Sequence, residues 1–130
     1  MIESAVKGEY SMQYVDGFVL PISKKNLPAY RRLAKKAGKI WREHGALDYK
    51  ECVGDDLNVK CGVPFPRQIK LKHGETVLFS FIVYKSRAHR DRVNTKVMND
   101  PRIANMCGPK NMPFDIKRMV YGGFQVLVSA

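Results

Sequence analysis

A chain of 130 residues, 45% hydrophobic and 10% aromatic, is sized for one globular domain with a modest core, and its composition is neither disordered nor fibrous. Its 23 Lys and Arg against 12 Asp and Glu, a net charge of +11, draw anionic partners through long-range fields but specify no site. No apolar run reaches the roughly 18–20 residues of a membrane span, the amino-terminal residues are not a secretory signal, and Cys52, Cys61 and Cys107, without a CxxC spacing, argue against a disulfide framework and for a reducing cytoplasm.

Residues 1–11 read as a leader, disordered or artificially appended, and residues 12–130 as one domain. Tyr14–Ile22 (YVDGFVLPI) is rich in β-branched and aromatic residues and forms a first strand, which Pro21 helps to end. Ser23 is placed to cap a helix that Gly45 stops. Pro28 falls in the first turn, where a missing amide does no harm. Leu27, Tyr30, Leu33, Ala34, Ala37, Ile40 and Trp41 recur at three- and four-residue spacing and make one apolar stripe.

Ala46–Val53 alternates weakly and predicts a second strand. Residues 54–75 are too long for a simple hairpin loop, so they need structure of their own, with Gln68–Lys72 as a short edge strand or arm. Thr76–Tyr84 (TVLFSFIVY) is apolar enough for a central strand. Ser86 caps a second helix through about Asn99, with Ala88, His89, Val93, Lys96 and Val97 toward its inner face. Asp100-Pro101 ends it. A turn or short helix at Arg102–Met106 and breaks at Gly108-Pro109 and Met112-Pro113 precede the last strand, Lys117–Val128. Gly122-Gly123 within that strand marks a bulge or a close backbone approach.

Strand–helix–strand twice over, with right-handed crossovers, predicts an α+β domain: a four-stranded antiparallel sheet with two helices on one face. Val15, Phe18, Val19, Leu78, Phe79, Phe81, Ile82, Val83 and Val126 leave apolar residues for both faces of that sheet. The uncovered face calls for a partner, and a homodimer packed sheet on sheet meets the need.

The words MQYVDGFVLPI, FPRQIKLKHGETV, FSFIVYKSRAHRDRVNTKVMNDPR and MPFDIKRMVYGGF together resemble the YbaA-like bacterial family, a domain of unknown function, over residues 12–128. The resemblance implies the ferredoxin-like βαββαβ fold of the dimeric α+β barrel superfamily. That superfamily also holds small monooxygenases, haem-degrading enzymes, chlorite-dismutase relatives and ligand-binding domains, so a reaction does not follow from the fold. The haem-degrading branch carries an Asn–Trp–His set with its Trp and His in the second half of the domain. The only Trp here, Trp41, lies on the first helix, and none of His44, His73 and His89 stands in a word that matches the haem-degrading branch. No cofactor and no metal are expected.

His89-Arg90-Asp91 is similar to a kinase catalytic word, but the chain has no Gly-rich loop, no DFG and too few residues. The cluster reads either as a helix start with Asp91 at the positive end, or as a cleft-lining His89. Asp115 either locks the last strand by pairing with Arg118 or Arg90, or serves His89 as the carboxylate of an acid–base pair. The candidate catalytic residues are thus His89, Asp91 and Asp115, and the candidate ligand-binding residues Trp41, His44, Arg90 and Arg118, around a small molecule held between helices and sheet. Tyr14, Asp16, Tyr49, Tyr84 and Tyr121 offer polar points in such a pocket. The alternative partner is RNA or another polyanion, on the ridge Arg31, Lys35, Lys39 and Arg42 of the first helix. No RNP-like word, helix-turn-helix or GxxG clamp supports a specific nucleic-acid module.

Overall fold

A computed structural model describes residues 12–106 and 112–130. The expected leader, Cys107 and the Gly108-Pro109 break lie outside the described residues. Strand β1 (Tyr14–Ser23) leads to helix α1 (Leu27–Glu43), strand β2 (Asp48–Val53) and a single turn of helix, α2 (Phe65–Gln68). Strand β3 (Glu75–Tyr84), helices α3 (Arg87–Met98) and α4 (Pro101–Met106) and strand β4 (Val120–Gln125) complete the order. The sheet runs β2-β3-β1-β4 with every neighbouring pair antiparallel. β1 and β2 therefore point the same way on either side of β3, as do β3 and β4 on either side of β1.

Register decides what each face carries, because side chains alternate along a strand. Tyr14 pairs with Tyr84 and Ser23 with Glu75. Leu20 and Ile22 of β1 and Leu78, Ile82 and Tyr84 of β3 consequently share one face and are buried there. α1 covers this face with Tyr30, Ala34, Ala37, Gly38 and Ile40, and α3 with Val93 and Val97. Each fully buried Val or Leu is worth about 1.5–3 kcal/mol of apolar transfer. The opposite face carries Val15, Val19, Phe79, Phe81, Val83, Val120 and Phe124. Of these, Phe79 is 45% exposed, Val120 60% and Phe124 63%.

Helix α1 ends as its glycine implies. Gly45 takes φ +118°, its amide bonds to Arg42 O (3.1 Å), and the Ala46 amide bonds to Trp41 O (3.0 Å), a Schellman closure. Gly38 is a close approach: a Cβ there would lie 2.7 Å from the Tyr49 ring. Ser86 caps α3 as expected, its Oγ accepting from the His89 amide at 3.1 Å.

The structure corrects several local expectations. Ser23 makes no side-chain cap; a 3-10 turn at Lys24–Asn26 intervenes, and the Asn26 Nδ2 donates to Pro113 O. Gln68–Lys72 is not a strand. The Leu71 amide bonds to Pro66 O (2.9 Å) and Lys70 sits at φ 54°, so the segment satisfies its amides within itself rather than along a sheet edge. β4 begins at Val120, because Asp115 caps a 3-10 turn at Ile116–Arg118 first. Gly122 and Gly123 form no bulge, since the β1–β4 register is unbroken; Gly123 instead gives way to the Tyr14 ring. Ala88 and Lys96 of α3 are exposed, and Arg90, Val93, Asn94 and Val97 form its inner stripe.

Candidate functional site

Between α1, α3 and the covered face of the sheet lies a cavity of about 350 Å³. Its walls are largely apolar and aromatic, including Phe18, Leu20, Ala37, Trp41 and Ile82, and its rim holds Met98, Ile116 and Tyr121. Phe18 and Tyr121 stack with centroids 5.1 Å apart and planes 11° apart. Such a space suits a small ligand that is mostly apolar and oriented by a few polar groups.

The polar groups converge from β1, β3 and α3. Asp16 is 2% exposed, and its Oδ1 accepts from Arg90 Nη1 at 2.7 Å. The Arg90 guanidinium also lies over the Tyr14 ring, 4.9 Å from its centroid, a cation–π contact. The Asn94 Oδ1 accepts from Trp41 Nε1 and from the Tyr84 hydroxyl, each at 3.2 Å. That turns the Asn94 amide NH₂ toward Asp16, with which it also hydrogen-bonds. Burial raises Asp16 above the usual carboxylate range, while Arg90 and Asn94 pull it back. Burial, with the Asp16 charge nearby, pushes the Tyr84 hydroxyl up as well. A second polar point stands across the cavity, where Glu51 accepts from the Tyr30 hydroxyl (2.7 Å) and the Tyr49 hydroxyl (2.6 Å). Among the described residues no buried side-chain nitrogen or oxygen lacks a hydrogen-bond partner.

The structure divides the candidates read from sequence. Trp41 and Arg90 join the Asp16 network. His89 does not line the cavity. Its Nδ1 accepts from the Lys85 amide at 2.9 Å, and its ring stands edge-on to Tyr84 near Gly45 and Val93. Partial burial, and the cations Lys85, Arg92 and Lys96, lower its basicity. The carboxylates expected beside it are engaged elsewhere. Asp91 is 62% exposed and pairs with Arg90 Nε at 2.8 Å. Asp115 is exposed and accepts from the Lys117 amide at 3.0 Å.

Arg118 does not pair with Asp115 as expected. It grips Glu75 with both terminal nitrogens (2.7 and 3.0 Å) and donates to Lys70 O, tying the start of β3 to the approach of β4. The Arg118 interaction holds Glu75 below its ordinary range. His44 caps the end of α1, and its Nε2 lies 2.8 Å from Asp100 Oδ2. Arg102 binds the same carboxylate and Glu43, and with His44 it holds Asp100 well below the usual range. Asn94 and Glu51 were not singled out from the sequence, and Tyr30 was read there only as part of an apolar stripe. The four-residue step from Arg90 to Asn94, and the alternation of Tyr49 with Glu51, carried the signal.

No three His, Cys, Asp or Glu side chains converge as a metal site among the described residues. Nor is any helix among them long and apolar enough to cross a membrane.

Residues 13–116 match the family described as "Protein of unknown function (DUF1428)". The chain belongs to this family. It is 41% identical over 117 residues to "Uncharacterized protein YbaA" of Escherichia coli strain K12, covering 90% of this chain and 98% of that one, and the YbaA of Shigella flexneri gives the same figures. Among solved structures, a de novo designed protein, Foldit4, aligns over 90% of this chain and 99% of its own with a TM-score of 0.42 and 11% identity, a likeness too slight to carry an argument.

Proposed function

We propose that the protein binds a small, mostly apolar molecule with one hydrogen-bonding group in the cavity between α1, α3 and the sheet. The observation that carries this reading is the buried Asp16, fixed by Arg90 and Asn94, at the wall of a largely apolar space. A charge so costly to bury is held ready for a donor on the ligand. As a cofactor-free enzyme, the protein would use the same carboxylate, raised by burial, to take a proton from the bound molecule.

The strand order β2-β3-β1-β4 with its two crossovers supports a ferredoxin-like βαββαβ fold. The exposed Phe79, Val120 and Phe124 support a homodimer closed sheet on sheet. Free, exposed Cys52 and Cys61 suit a reducing cytoplasm.

Indole, an apolar body with a single N–H donor, is a suitable probe. Titration followed by NMR is expected to shift the Asn94 and Trp41 side-chain signals saturably, with binding weakened about tenfold or more in Asp16→Asn. Shifts scattered over the surface, or equal affinity in Asp16→Asn, would remove the support for this site.

A further inference from the structure

A second, larger space lies on the other flank of α1. Between that helix and the edge strand β2 runs an open groove of about 840 Å³, within the range of sites for drug-sized ligands. Its floor is apolar: Leu27, Ala34 and Gly38 from α1, Val53 from β2 and Leu78 from β3. Its helical bank carries Arg31, Lys35 and Lys39, spaced one helical turn apart, so successive cations stand about 6 Å from each other along one row. All three are exposed, and among the described residues none of them has an ion-pair partner. Arg42, next along the row, is held by Leu47 O and by Asp48 at 4.0 Å. The one carboxylate on the lining, Glu51, has both oxygens occupied by Tyr30 and Tyr49.

Cations in a row above an apolar trough are complementary to a ligand with the same division. We propose that this groove binds a single-chain fatty carboxylate, its chain along the floor and its head group on Lys35 and Lys39. A polyanion would use the row of cations and leave the floor unexplained. Single-stranded nucleic acid stacks its bases on exposed aromatic faces, whereas Tyr30 is buried and the Tyr49 ring is packed against Gly38. The groove shares Tyr30, Ala34, Tyr49 and Glu51 with the cavity proposed above as a common wall, but Arg31, Lys35, Lys39, Leu27, Val53 and Leu78 do not line that cavity, and the proposal does not depend on it.

Isothermal titration of the full chain with dodecanoate tests the assignment. A single saturable site is expected, with dodecanol and hexanoate each at least about tenfold weaker, the first lacking the charge and the second the chain. Lys35→Glu/Lys39→Glu is expected to weaken dodecanoate by more than about tenfold, about 1.4 kcal/mol or more. Val53→Asp, at a position 54% exposed, changes the floor without burdening the fold and is expected to weaken it comparably. Met98→Trp, on the rim of the cavity and not of the groove, is expected to leave it unchanged. Circular dichroism confirms that each variant is folded.

The proposal is overturned by absence of dodecanoate binding to the wild type, by equal affinity for dodecanol, or by unchanged affinity in the double charge reversal. Loss of binding in Met98→Trp alone would assign the fatty acid to the cavity instead. RNA binding that the charge reversal abolishes and dodecanoate does not disturb would assign the row to a polyanion.

Discussion

The two faces of the sheet carry comparable apolar side chains and are finished in opposite ways. On the covered face, the central strands β1 and β3 are buried under α1 and α3, and the buried charge there, Asp16, is matched by Arg90 at 2.7 Å. On the other face, Phe79, Val120 and Phe124 stand in the open, with neither helix nor ion pair over them. The contrast teaches that burial in one chain accounts for one face of the sheet, and that a charge taken into that low-dielectric face comes with its partner.

The largest effect expected from breaking this contrast is at Arg90. Arg90→Met leaves the Asp16 carboxylate buried without its partner and is expected to cost about 3–5 kcal/mol of unfolding free energy in urea. Adding Asp16→Asn should recover much of that loss, because the orphaned charge is then gone. If the double variant is no more stable than Arg90→Met alone, the pair does not behave as an isolated ion pair.

Packing should differ between the faces in the same sense. Leu20→Ala, on the covered face at 1% exposure, is expected to cost about 2–5 kcal/mol. Phe124→Glu, on the open face, should change the stability of the single chain by no more than about 0.5 kcal/mol. It should, however, reduce the solution mass seen by light scattering from twice the 14.8 kDa chain to that of one chain. A wild type that already scatters as a single chain at micromolar concentration would refute the sheet-on-sheet dimer.

A smaller effect is expected where α1 meets the sheet. Gly38→Ala would gain about 1 kcal/mol in helix propensity, but the added methyl meets the Tyr49 ring at 2.7 Å, and such crowding typically costs about 1–3 kcal/mol. A net loss near 1 kcal/mol is predicted; a stabilised Gly38→Ala would mean that α1 shifts freely over β2.

The smallest effect is in the pH dependence. His89 titrates below its ordinary 6.5 in the folded chain, because burial and then Lys85, Arg92 and Lys96 disfavour the charged ring. Below about pH 6.5 the unfolded chain therefore binds the proton more readily. The stability that His89 contributes is complete above that pH and is lost as pH falls toward the folded value. Urea midpoints taken from about pH 7.5 to 5 should fall less steeply in His89→Gln than in the wild type. Parallel curves would show that the ring is not linked to folding.

Much of the secondary structure was written in local pattern. The stripe on α1, the Ser86 cap, the Gly45 stop and the apolar run of β3 each depend on neighbours a few residues away. The failures were of another kind. Ser23 had the chemistry of a cap, yet the turn at Lys24–Asn26 moved the helix start beyond its reach. Ile69 and Leu71 alternated like a strand, yet the prolines before them and the backbone bonds at Leu71 gave the segment a local solution.

By itself, then, the sequence determined the four strands and two long helices in their order, the stripe that buries α1 and the excess of positive charge. Only the tertiary structure decided which polar residues meet. Asp16 and Arg90 are 74 residues apart, and Trp41 and Asn94 53, so no local period could pair them. The register of β1 on β3 turned Asp16 inward, and the phase of α3, set by its cap, brought Arg90 and Asn94 down upon it. The same register and phase left His89, the most conspicuous residue of its segment, outside the cavity, because a side chain's neighbours across a fold are set by packing and not by its neighbours along the chain.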